Sequence, residues 1–333
     1  MKYGAGLAWG MQIGSRRCLV NPHSGSGDHA DHVRRAMEAR GFAVTETESA
    51  AHTVELAREA GEDGVSTLAV CGGDGTINDA LRGLYRADAL GDATFAVLPA
   101  GTANLLAGRI GIDSLDRGIE LSDTGEARAL DVGVTEGDDG AAERADPVDG
   151  NGDEGTAAEP FLVSCIAGLP ADASTATSDE LKERFGTLAF LLTGARETVA
   201  FDGLDVHVES PTRSWAGEAT CVLVGNARKF VEEGGQADME DGRFDVVVVE
   251  QMPASGLAVE AAIHRLLGEG TDGVTQFRAS ELHVESDDEP ITFSRDGEVA
   301  THRGLDLRVL PAALDVRVGD AYEPEPEYGP NSE

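Results

Sequence analysis

The sequence predicts two domains: an N-terminal α/β domain with a doubly wound, mostly parallel sheet, then a C-terminal antiparallel β-sandwich. Three observations carry this. From Arg17 to about Gly111, short apolar runs alternate with helix-patterned stretches. The loops after the first, third and fourth of those runs are rich in glycine and small polar residues. Beyond Leu130 the texture changes to short strand-like runs separated by turn residues.

In order, "RCLV" from Arg17 reads as a buried strand, "NPHSGSGD" as a loop and "HADHVRRAMEARG" as a helix ending at Gly41. "FAVTETE" is a second strand and "AAHTVELAREAGED" a second helix. "STLAVCG" and "TINDALRGLYR" form the third pair; "TFAVLPAG" is a fourth strand, followed by "TANLLAGRIG". The second domain begins at the strand "LDVGV" and continues through "FLVSCIAG", "LDVHVES", "EATCVLVGN", "FDVVVVE", "ELHVES", "ITFSRDGE", "LDLRVL" and "LDVRVG". Helical patterning interrupts these strands at 179–200 and in "ASGLAVEAAIHRLLGEG". The expected boundaries are 15–128 for the α/β domain and 129–320 for the β-rich domain. Residues 135–160, rich in Asp, Glu, Gly and Ala, are expected to be a flexible acidic insertion. Residues 321–333 are expected to be a disordered tail.

At 333 residues and 41% hydrophobic, the chain can bury two cores. It carries 61 acidic against 26 Lys and Arg residues, net −35, with lysine only at positions 2, 182 and 229. That balance points to a halophile cytoplasm, where salt screens self-repulsion, and argues against a nucleic-acid partner. No run approaches the ~20 apolar residues of a membrane helix, and the N-terminus shows no secretory pattern, so a cytoplasmic location is expected. Of four cysteines, three lie in apolar runs and read as buried thiols. His23, His29 and His32, with Asp28 and Asp31 among them, read as solvated helix-start residues before a metal site.

In an open parallel sheet the loops at the carboxyl ends of the strands share one edge and form the ligand crevice. Here these are "NPHSGSG" (21–27), "GGDGTIN" (72–78) and "PAGTAN" (99–104). Together they suit phosphate, because glycine lets backbone N–H groups approach an anion and the next helix adds its dipole. Asp74 would repel phosphate, so a carboxylate there suits Mg2+ or a proton. "GSGDHA" (25–30) with Glu46 also makes a passable dinucleotide fingerprint, but its glycines come late and "GGDGT" stays unexplained.

"NPHSG", "GGDGTIND" and "PAGTANLLA", in that order, resemble the catalytic domain of diacylglycerol kinases, sphingosine kinases and bacterial lipid kinases. The resemblance spans about 17–318; "GGDGT" alone is shared with NAD kinases. "FLVSCIAGLPADA", "VGNARKFVEEGGQADMEDGRFDVVVV" and "RDGE" (295–298) resemble the later family segments. It implies an α/β domain and a β-sandwich enclosing a cleft, with ATP on the glycine loops and the lipid hydroxyl entering from the second domain.

By that resemblance Asn21, Pro22, His23, Ser24, Gly25, Thr47, Gly72, Gly73, Asp74, Gly75, Thr76, Ile77, Asn78, Gly101, Thr102 and Asn104 would contact ATP. Asp74 would organise Mg2+ and phosphate; Asp238, Asp241 and the backbone of Arg243 correspond to the metal-binding turn. Glu298 would accept the proton, with Asp296 beside it. Leu105 stands where the family often carries Asp, and Gly234, Gly235 and Gln236 where it has three glycines.

The implied activity is ATP- and Mg2+-dependent phosphorylation of a diacylglycerol-like or other lipid alcohol. The alternatives are an NAD kinase or other soluble-metabolite kinase, and a noncatalytic nucleotide-binding regulator. A lipid kinase would meet the membrane peripherally. A homodimer enters only by analogy with bacterial relatives.

Overall fold

The computed structural model describes residues 15–25, 27, 29–137, 158–168, 203–229, 236–251, 273–287 and 289–326. The expected helices at 179–200 and 254–270, the centre of the acidic insertion and the end of the tail lie outside them.

The N-terminal half runs β1 (Arg16–Val20), α1 (Ala30–Glu38), β2 (Ala43–Glu46), α2 (Ala50–Glu62), β3 (Thr67–Gly72), α3 (Asp74–Arg86), β4 (Thr94–Pro99), α4 (Leu105–Arg109) and α5 (Leu115–Thr124). The four strands pair in parallel in the order β2-β1-β3-β4. Their alternating side chains divide between two helical layers. Leu19, Leu68, Val70, Phe95 and Val97 join the core under α2 and α3, while Cys18, Val20, Ala69, Cys71, Ala96 and Leu98 join that under α1. All four cysteines are buried and free.

Local chemistry explains the helix starts. Ser49 Oγ accepts the His52 N–H at 3.1 Å ahead of α2, and Ser114 Oγ accepts the Arg117 N–H at 3.4 Å ahead of α5. Helix α5 was absent from the sequence reading; the Ser114 cap and Asp116 in its first turn were the signals available. Helix α3 starts two residues before the expected "TINDALRGLYR", so Asp74 lies in its first turn.

The second half is β5 (Glu126–Gly137), β6 (Glu159–Phe161), β7 (Ser164–Gly168), β8 (Leu204–Glu209), β9 (Ser214–Gly225), β10 (Phe244–Glu250), β11 (Val274–Ala279), β12 (Glu281–Glu285), β13 (Ile291–Arg295), β14 (Glu298–His302) and β15 (Gly304–Val318). These strands pair with one another antiparallel, and β9 serves two groups. Residues 214–219 pair with β8, and 221–225 with both β7 and β10. Phe161, Val208, Val224, Phe244, Val246, Phe277, Val284, Phe293 and Leu307 pack between the faces of this sandwich.

Three expectations change. "FLVSCIAG" is two strands, because at Leu162 and Val163 the backbone N–H groups turn to a side-chain acceptor, Asp296. "LDLRVL" and "LDVRVG" are one strand, β15, with a register shift against β5 between Leu310 and Leu314. Pro311 has no N–H to give the ladder and Ala312 has φ +49°. Past that irregularity, β15 reaches the first domain and pairs parallel with β4 at Val316–Phe95. Finally, residues 321–326 of the expected tail are ordered: Tyr322 is buried in the first core and its hydroxyl donates to Glu240 at 2.9 Å.

Candidate active site at the domain boundary

The three glycine loops meet at one edge of the parallel sheet. The Asn21 N–H donates to Cys71 O at 2.9 Å and the Ala100 N–H to Gly72 O at 2.9 Å, which carries the sheet pairing into the loops. A Cβ on Gly101 would stand 2.5 Å from the Gly73 Cα, and one on Gly25 (φ +55°) would overlap the Ala100 carbonyl. Backbone therefore touches backbone, as a phosphate cradle needs.

Side chains brace this cradle. Asn21 Nδ2 donates to Thr76 Oγ1 at 2.9 Å, and Asn21 Oδ1 accepts the His23 N–H at 3.0 Å. Asn104, left-handed at φ +46°, closes the 101–104 turn by accepting the Gly101 N–H and donating to its carbonyl, both at 2.9 Å. Thr47 is buried at the end of β2, its N–H on Val20 O at 2.8 Å. Pro22, Ser24, Gly75, Ile77 and Thr102 belong to the same three loops or the start of α3, where the N–H groups of Asp74, Gly75 and Thr76 have no intrahelical acceptor and that of Ile77 donates to Gly73 O at 3.1 Å.

Asp74 is engaged within the protein. Its Oδ1 accepts the Leu106 N–H at 3.3 Å, at the start of α4. Burial pushes its pKa above the ordinary range, opposed by the backbone N–H groups around 104–106. The carboxylate thus ties the second glycine loop to the third. Asn78, four residues on and on the same face of α3, is 2% exposed, and its amide nitrogen and oxygen have no hydrogen-bond partner among the described residues. Such an orphan is costly unless a ligand or water meets it, and it fits a nucleotide at this edge.

The expected metal turn is an acidic knot. Asp238 Oδ1 accepts the Glu240 N–H at 3.0 Å; Asp241 accepts the Arg243 N–H at 2.9 Å and Arg278 at 3.0 Å. Asp131, which the sequence reading missed, accepts the Gly242 N–H at 2.7 Å and the Ala312 N–H at 2.8 Å. Burial, then Asp238, push Asp241 up to about 6. Hard carboxylate oxygens under mutual repulsion suit a divalent cation. Among the described residues, however, no group of three or more His, Cys, Asp or Glu is arranged to hold an ion. Any Mg2+ here would rest on Asp238, Asp241 and the Arg243 backbone, with water filling the sphere. His29 and His32 turn elsewhere, to Asn21 O and Asp116.

"RDGE" is a tight hairpin turn with Asp296 at φ +47° and Gly297 at φ +93°. Asp296 faces inward: its carboxylate accepts the N–H groups of Leu162, Val163 and Ser164 at 2.7, 2.9 and 2.8 Å. Burial pushes it up to about 6 against those bonds. Three backbone donors make Asp296 the fastener of the β6–β7 break.

Glu298, by contrast, is partly exposed and bridges the domains: its Oε2 accepts from Arg82 of α3 and, at 3.3 Å, from Arg295. Arg82 also binds Asp79 at 3.2 Å and Glu159 of β6 at 2.5 Å. Asp79, 7% exposed, is pushed up to about 6 by burial, with Glu298 and Glu159 adding to it and Arg82 opposing. The sequence reading named Glu298 but neither Asp79, Arg82, Glu159 nor Arg295. Asp79 closes the "GGDGTIND" motif and Arg82 follows it one helical turn later; that spacing was the signal.

Comparisons with known proteins bear on the family and the two-domain fold. The diacylglycerol kinase catalytic domain matches residues 16–135, and the YegS C-terminal NAD kinase beta sandwich-like domain matches 163–318. The chain is 25% identical to lipid kinase YegS of Escherichia coli K12 over 272 residues, 81% of this chain and 82% of that one. Its fold resembles the crystal structure of a diacylglycerol kinase from Bacillus anthracis Sterne, with TM-score 0.65 and 17% identity over 94% of this chain and all of that one. Another solved chain from the same organism gives TM-score 0.69 at 20% identity, covering 92% of this chain and 98% of that one. With both of its domains matched in order, the chain belongs to the diacylglycerol kinase catalytic-domain family and is a lipid kinase-like protein.

Proposed function

We propose that this protein transfers the γ-phosphoryl group of ATP to the hydroxyl of a lipid alcohol. The observation that carries this is the lacing of three glycine loops through Gly25, Gly73 and Gly101, directly ahead of α3, which leads to Glu298 through Arg82. The loops and the first turn of α3 would hold the phosphates, with Asn78 supplying a buried amide.

The acceptor oxygen forms a bond to the γ-phosphorus as the bond to the β,γ-bridging oxygen breaks, and that oxygen leaves with its electron pair as part of ADP. The hydroxyl proton passes to Glu298 as general base. Bound Mg2+ would neutralise phosphate charge, and Asp238 and Asp241 are the residues to hold it.

Two features favour a lipid acceptor. Leu105, 41% exposed, and Val299, 48% exposed, are the exposed large apolar side chains among the described residues. One follows Asn104 of the cradle and the other follows Glu298 along β14, so each is next in sequence to a residue of the site and would suit contact with acyl or alkyl chains. No helix among the described residues is long and apolar enough to cross a membrane, and peripheral contact fits that.

The test is a phosphate-transfer assay in molar KCl with Mg-ATP, offering diacylglycerol, a dialkylglycerol, a long-chain base, a polyprenol and NAD in parallel. Transfer to a lipid, lost in Glu298→Gln, supports the proposal. Labelled NADP, or ATP binding without transfer to any acceptor, overturns it.

A further inference from the structure

Arg82 lies eight residues beyond Asp74, about 12 Å along the axis of α3. Its side chain is 12% exposed, and each guanidinium nitrogen meets a different carboxylate: Nη1 meets Asp79, Nε meets Glu159 and Nη2 meets Glu298. Those acids come from three elements, α3, β6 and β14, so one side chain spans the domain boundary. Arg295 reinforces it by reaching the same Oε2 of Glu298 while its Nη1 donates to Thr135 Oγ1 at 3.0 Å. Among the described residues, no hydrogen bond reaches the other oxygen of Glu298, Oε1.

We propose that Arg82 is a positioning residue that holds Glu298 by Oε2 across the domain boundary and leaves Oε1 to take the acceptor's proton. This rests on Glu298 acting as the base. Arginine suits the task because its planar fork presents several donors in fixed directions, where lysine offers a point charge. The same guanidinium supplies charge balance. Asp79, Glu159 and Glu298 face Arg82, Arg86 and Arg295; the one other titratable group on β14, His302, lies roughly 13 Å further along the strand. Without Arg82, three acids share two bases, and a carboxylate cluster short of cations holds protons to higher pH.

The experiment compares the full-length wild type with Arg82→Met, Arg82→Lys and Glu298→Gln, using Mg-ATP with 1,2-diacylglycerol or 1,2-dialkylglycerol in mixed micelles. It reads kcat, KM, the pH profile and calorimetric ATP affinity. In Arg82→Met, kcat should fall on the order of 10²-fold with ATP affinity within about twofold, since general-base assistance is commonly of that size. Its acid limb should move upward by about one pH unit, so that raising the pH restores part of the rate. Arg82→Lys keeps the charge, so its acid limb should stay in place while kcat falls about tenfold, because it cannot bridge three acids.

Wild-type kcat in Arg82→Lys overturns the proposal even if Arg82→Met fails to fold. So does a rate loss in Arg82→Met that is equal at every pH and follows loss of folded protein. Full activity in Glu298→Gln would instead remove the base assignment itself, and no transfer by wild type would remove the kinase reading.

Discussion

Gly25 and the carbonyl of Ala100 are in such close contact that no side chain fits between them, and this contact joins the first glycine loop to the third. Gly25→Ala adds a methyl group there and asks alanine for φ +55°. The backbone term alone costs about 1 to 2 kcal/mol. The expected result is an ATP affinity at least about tenfold weaker, with the far-UV circular dichroism spectrum unchanged. Calorimetric titration with ATP reads it, and wild-type affinity would show that the loop contact is irrelevant to binding.

Asp131 holds the acidic 238–243 turn against the irregularity in β15. Asp131→Ala takes the carboxylate acceptor from the partly buried N–H groups of Gly242 and Ala312, and a hydrogen bond to a charged group contributes about 1.5 to 3 kcal/mol, less where water can reach the amide. Urea denaturation should show a loss of roughly 2 to 4 kcal/mol, and Mg2+ binding should weaken with it. A variant as stable as wild type would mean that water replaces the carboxylate at both amides.

Asp79 makes stability depend on pH. Its folded pKa, raised to about 6 mainly by burial, exceeds the unfolded value of about 3.9, so the folded state binds more protons between those limits. Its contribution is therefore fully present below pH ~4 and lost as the pH rises through about 6. Asp79→Asn removes that slope. Urea midpoints at pH 5 and pH 7.5 check the sign: the variant should compare better with wild type at 7.5 than at 5.

Leu105→Ser and Val299→Ser should each change stability by less than about 0.5 kcal/mol, since both positions are exposed. Their effect should fall on KM for acceptor presented in vesicles, and little on a short-chain soluble acceptor. Equal effects on both presentations would place these side chains outside the lipid's path.

With net charge −35, the fold should gain stability with salt. The Debye length shortens from about 10 Å at 0.1 M to about 3 Å at 1 M, which removes most repulsion between separated surface acids. The melting temperature should rise steadily with KCl across that range. A flat profile would mean that the acids are balanced locally by the arginine pairs.

The sequence by itself determined the fold class, the order of its parts and the three glycine loops. Those properties are written in short-range patterning and turn chemistry: apolar runs in β1, β3 and β4, the Ser49 cap of α2, and glycine where the backbone turns left-handed at Gly25 or is closely approached at Gly73 and Gly101. Only the tertiary structure decided how carboxylates divide their work. Asp74, Asp131 and Asp296 share the residue types of Asp238 and Glu298, yet their oxygens are taken by backbone N–H groups 32, 111 and 134 positions away. Likewise β15 reads as two strands locally and becomes one because β5 pairs with it on both sides of the 311–313 irregularity and β4 receives its end. Arg82 meets Glu298 across 216 residues of sequence, and no local pattern encodes a contact that forms only when the domains pack together.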